Sequence, residues 1–87
     1  MKYSILNKAH DILYNRSKKE IEYGPFIDCM EKTAKLASIL SNKKITIEDS
    51  YNIMIAIKLS RESYTHKEDN LLDVIAYIAS LNDYKNG

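Results

Sequence analysis

The chain has 87 residues, 45% of them hydrophobic and 29% charged, with a net charge of +1. This describes one small folded domain, residues 1–87, and excludes the strong positive field that binding to duplex DNA or RNA relies on. Its single cysteine, Cys29, excludes an intrachain disulfide and a cysteine-built zinc cage. No apolar run approaches the ~20 residues of a membrane span and no signal-peptide pattern is present, so a cytoplasmic protein with no membrane partner is expected.

Residues 2–15 carry Ile5, Ala9, Ile12 and Leu13 at helical spacing with Leu6 beside them, which predicts an amphipathic first helix. His10 and Asp11 fall on its polar side, where a lone histidine is expected to be solvated. Residues 16–22, with five charges in seven positions, read as a solvated link.

Tyr23-Gly24-Pro25 is the strongest punctuation in the sequence. Gly24 tolerates a positive φ and the Pro25 ring suits a first helical turn, so a second helix is predicted to begin there. Phe26, Cys29, Met30, Thr33, Ala34, Leu36, Ala37 and Leu40 then form one broad face, expected as core, with Cys29 a packed thiol. Ala34, Ala37 and Ser38 are small enough to admit another helix closely, from the same chain or from a second copy. Residues 41–44 predict a polar turn, with Asn42 as the helix C-cap.

A third helix starts after Thr46, where Asp49 stands three residues on in the order of a capping box. Tyr51, Ile53, Met54, Ile55, Ala56, Ile57 and Leu59 make it apolar nearly all round, the pattern of a helix that is central or buried in an oligomer. After a link at residues 63–66, a fourth helix is predicted from near Lys67 to about Leu81, followed by a frayed polar tail at residues 82–87. No strand pattern or internal repeat occurs. The expected fold is all-α, a small four-helix bundle-like domain packed into a homo-oligomer, since a chain this short buries only about 60–65% of its unfolded surface alone.

The third and fourth helices bring polar residues to one junction, residues 58–77. Three arrangements suit those residue types. Asp69 and Asp73, one helical turn apart, could hold hydrated Mg²⁺ against phosphates. Lys58, Arg61 and Lys67 could bind phosphates directly, with Asn70 or Asp73 fixing polar edges of a ligand and Tyr23, Tyr64 or Tyr77 stacking on a base. Alternatively Asp69 and Asp73 pair with Arg61 and Lys58 and stitch the two helices together. His10 and His66 lie in different segments, so neither zinc nor nucleophilic chemistry is expected.

Tyr23-Gly24, Ile45-Thr46 with Asp49, Lys58 with Arg61, His66-Lys67, Asp69-Asn70, Asp73 and Tyr77 together resemble the shared pattern of a family of small uncharacterised phage and prophage proteins, over roughly residues 16–81. The last helix is more distantly similar to the MazG-type all-α nucleotide pyrophosphohydrolases, whose final helix carries a Glu-x-x-Asp pair. Here Asn70 or Asp69 would partner Asp73, and the upstream Glu-x-x-Glu pair of those enzymes is missing. The phage-type resemblance implies a non-catalytic homo-oligomer that holds a nucleotide-class, phosphate-bearing ligand, sequestering a host defence signal as a sponge. The expected ligand residues are Lys58, Arg61, Lys67, Asn70, Asp73, Tyr77 and Tyr23, with no cofactor. The alternatives are a reduced MazG-like hydrolase using Mg²⁺ on Asp69 and Asp73, and a protein–protein interaction module.

Overall fold

The computed structural model describes residues 2–15 and 25–87. The expected link at residues 16–22, Tyr23 and Gly24 lie outside the described residues. The described residues form four helices, α1 (Ser4–Tyr14), α2 (Phe26–Ser41), α3 (Ile47–Tyr64) and α4 (Glu68–Asn86). No strand occurs among the described residues, so the fold is all-α.

The helix boundaries follow from local chemistry. Pro25, with no N–H to lose, is the N-cap of α2. Asn42 ends that helix in the left-handed region at φ 54°, a conformation its short amide side chain tolerates better than most. The capping box of α3 is complete: Thr46 Oγ1 accepts from the Asp49 amide at 3.0 Å, and Asp49 Oδ2 accepts from the Thr46 amide at 3.0 Å. Ser38 closes the turn between α2 and α3 by accepting from the Ile45 amide at 2.8 Å through Oγ. The small-residue face of α2 therefore serves the approach of its own chain, with Ala34 buried.

Of the two places the pattern of α3 allows, central or buried in an oligomer, the single chain does not adopt the first. Among the described helices α4 is the central one, because it packs against α3, α1 and α2, whereas α3 meets α4 and α2. Hydrophobic breadth misleads here, since Ile53, Ile57 and Leu59 on the outer side of α3 are left open. Leu36 and Leu40, expected in the core, are exposed as well, and Cys29 is half-buried.

The apolar core is small: Ala9, Met30, Ala34, Tyr51, Leu72, Val74 and Ala76. Its heart is aromatic. The Tyr51 ring is fully buried, lies parallel to Phe26 at 6.1 Å and near Tyr84 at 6.3 Å, while Tyr77 meets Phe26 edge-on at 5.0 Å. The Tyr51 hydroxyl reaches Ser80 Oγ at 2.7 Å, which satisfies a polar atom that burial would otherwise leave costly. Burial pushes the Tyr51 phenol above its ordinary pKa, although the bond to Ser80 opposes the shift.

The segment expected as a frayed tail is the last turn and a half of α4. Tyr84 closes the aromatic cluster and Lys85 Nζ lies 2.7 Å from Glu48 Oε1 at the start of α3.

Candidate functional site

The junction of α3 with α4 is organised by Glu62, a residue that sequence reasoning passed over. Thr65 leaves the helix in an extended conformation and Lys67 caps α4, which turns the chain back so that residues 66–70 meet the last turn of α3. Glu62 Oε1 accepts from the Lys67 amide at 2.9 Å and from Asn70 Nδ2 at 3.4 Å, and Oε2 is bonded to His66 Nδ1. A carboxylate thus accepts from the N-cap amide at the start of α4, where the helix dipole favours negative charge. The His66 bond first, and the Lys67 amide second, hold the Glu62 carboxyl below the usual glutamate pKa.

One turn earlier on α3, Lys58 Nζ lies 3.0 Å from Asp73 Oδ2, and the Lys58 side chain is only 19% exposed. Of the three arrangements the sequence allows, Lys58 and Asp73 adopt the stitching one. Asn70 is buried beneath Glu62, and Tyr77 belongs to the aromatic cluster through Phe26. Arg61 and Lys67 are exposed, and neither cation forms an ion pair among the described residues. Tyr64, three residues after Arg61 and on the same side of α3, is 91% exposed. Tyr23 lies outside the described residues.

The same geometry bears on magnesium. Asp73 Oδ2 is engaged by Lys58, and no group of three or more His, Cys, Asp or Glu side chains suited to a metal ion occurs among the described residues.

Away from this junction, a concavity of about 1020 Å³ opens between α1, the start of α2 and the C-terminal half of α4. Leu6, Leu13, Phe26 and Ile75 supply an apolar floor, and Asp83 and Tyr84 stand at its α4 wall. His10 and Tyr14 stack at 4.3 Å on the α1 wall. The sequence signal for this cleft is the i, i+4 spacing of His10 and Tyr14 on the α1 surface. Among the described residues that line it there is no Lys or Arg.

The fold and site define a small all-α domain in which charged side chains join two helices at one end and leave two cations and a tyrosine turned outward. No helix among the described residues is long and apolar enough to cross a membrane. The chain belongs to the family described as a domain of unknown function, DUF6378, whose family model matches residues 4–85. No curated protein and no solved structure matches the chain.

Proposed function

We propose that the protein is a non-catalytic binding module for a nucleotide-class, phosphate-bearing ligand, held at the α3–α4 junction of a homo-oligomer. The observation that supports this reading is that Arg61, Tyr64 and Lys67, within seven residues of each other where α3 turns into α4, are all exposed, and that neither cation has an ion-pair partner among the described residues. Two cations next to an exposed aromatic ring are the complement of a phosphate joined to a base. Lys58, Asn70 and Asp73 then shape the site by fixing the two helices, and Tyr77 supports it from the core. The Lys67 amide is already taken by Glu62, and in this reading the phosphate charge falls to the Arg61 and Lys67 side chains. Sequestration of a signalling nucleotide, as the phage-type resemblance implies, is the purpose that suits a binder without turnover. The Mg²⁺-dependent hydrolase alternative would use Asp73, whose Oδ2 is engaged by Lys58.

Native mass spectrometry with a panel of cyclic, linear and ADP-ribose-type nucleotides tests the reading. Intact ligand retained at a fixed ratio is expected, with Arg61→Ala and Lys67→Ala each lowering affinity about tenfold or more, the scale of one charge-assisted contact. Lys58→Ala is expected to act on stability instead. Retention unchanged in both Arg61→Ala and Lys67→Ala would overturn the site, and recovery of a cleaved nucleotide would move the protein to the hydrolase class.

A further inference from the structure

Glu62 does more than close the reversal between α3 and α4: it decides which nitrogen of His66 carries the proton. Oε2 of the carboxylate is bonded to His66 Nδ1, and Oε1 accepts from the Lys67 amide at 2.9 Å. An ionised carboxylate only accepts, so Nδ1 donates and the neutral ring keeps its lone pair on Nε2. The His66 bond is also the first cause that holds the Glu62 carboxyl below the ordinary glutamate range, which keeps it in the accepting form at neutral pH. The His66 side chain is 70% exposed, and no bond to Nε2 occurs among the described residues. Nε2 is therefore the atom this ring offers to a ligand.

The link that carries the ring is bonded at both ends. The Thr65 amide donates to the Arg61 carbonyl at 3.1 Å, the Asn70 amide donates to the Lys67 carbonyl at 3.0 Å, and the buried Asn70 side chain donates to Glu62. A group fixed before its ligand arrives loses less freedom on binding than a loose one. The charged neighbours of His66 are Arg61 and Glu62 in the last turn of α3, Lys67 next to it, and Glu68 and Asp69 in the first turn of α4. Glu68 is engaged by Lys8 of α1 at 2.6 Å, and Asp73 further along α4 is engaged by Lys58. Arg61, Lys67 and Asp69 have no ion-pair partner among the described residues, which leaves two cations against one carboxylate around the ring.

We infer that His66 Nε2 binds phosphate together with Arg61 and Lys67, and that it selects a nucleotide with a terminal phosphate monoester over one whose phosphate is a cyclic or internal diester. This rests on the nucleotide-binding function proposed above and names its ligand class. The second proton of a phosphate monoester leaves at about pH 6, close to where an imidazole changes charge. Ring and phosphate can therefore share one proton. A neutral ring accepts from the O–H of the monoanion, or an imidazolium donates to the dianion, and both forms hold the same protons and the same net charge. A diester has no O–H to donate and carries one charge, so it gains only from the imidazolium.

Calorimetric titration of the full chain with adenosine monophosphate and with cyclic adenosine monophosphate, over a series of pH values, tests the inference. At about pH 6.5 the monophosphate should bind about tenfold or more tightly than the cyclic compound, the scale of one charge-assisted contact. Its affinity should peak there and fall on both sides, because the shared proton is lost above and a second one is gained below. His66→Asn keeps a donor for Glu62 in the place of Nδ1 and removes Nε2. It should melt as the parent does, lose the peak and bind the two nucleotides alike. A purely structural role for His66 would instead lower the melting temperature and leave the preference as it was. His10→Asn, at the other histidine of the chain, should change nothing. If His66→Asn melts below the parent, the ring resonances of the two histidines in the parent supply the same test, since adenosine monophosphate should shift His66 and leave His10 in place. Equal affinity for the two nucleotides, or a preference that survives His66→Asn, overturns the inference and leaves nucleotide binding standing. Absence of binding by either compound overturns it as well, and the wider nucleotide panel then decides whether the function proposed above falls with it.

Discussion

Glu62 performs from the end of one helix the capping that a side chain usually performs from the N-cap of the next. Its carboxylate gathers His66, the Lys67 amide and Asn70, and these bonds favour the charged form. The folded-state pKa is lowered, so the unfolded chain takes up the proton first as pH falls. The stabilisation is complete above the ordinary glutamate range and fades as pH drops through the lowered value. Glu62→Gln is therefore expected to melt at a lower temperature than the parent at neutral pH. The two melting curves should converge in acid, below the ordinary value of 4.5, and a gap that persists unchanged there would remove Glu62 from this role. The sequence brought Lys58, Asn70 and Asp73 to one junction because their helical spacing is fixed by the chain. It could not assign Glu62, whose partners arrive only through the reversal at residues 65–67.

At the scale of elements, the starts of the helices were more legible than their ends. The Thr46 and Asp49 pair declares the start of α3 in four residues, and caps of this kind contribute about 1 kcal/mol. The end of α4 is hidden by its composition, Asn-Asp-Tyr-Lys-Asn, which reads as solvent-facing when nothing says that Tyr51 and Glu48 lie opposite. Deleting residues 82–87 removes Tyr84 from the aromatic cluster and Lys85 from Glu48. A loss of about 1–3 kcal/mol in denaturant unfolding is expected from those two contacts. A frayed tail would give no change, so this measurement separates the two accounts directly.

For the whole molecule, the all-α class and the four described helices follow from apolar periodicity, because each helix must bury some stripe to form at all. Which helix lies at the centre does not follow, since an apolar row looks the same in sequence whether its own chain or a second copy covers it. Leu36, Leu40, Ile53 and Ile57 are the residues on which that ambiguity rests. If a second copy covers them, thermal stability is a function of protein concentration, and the melting temperature should climb with each tenfold increase. A melting temperature constant over two decades of concentration would mean that the thin core of the single chain suffices.

The pairing of α1 with α4 also sets an order of events. Among the described helices α1 packs against α4 alone, and Lys8 meets Glu68 across 60 residues of chain at 2.6 Å. During synthesis the earliest helix leaves the ribosome long before the surface it needs has been made. α2 and α3 can find each other in the meantime, but α1 must wait as an unsupported amphipathic segment of 11 residues, too short to be stable alone in water. Docking of α1 thus waits for α4, and a translation product that stops before residue 68 lacks the partner surface that α1 requires.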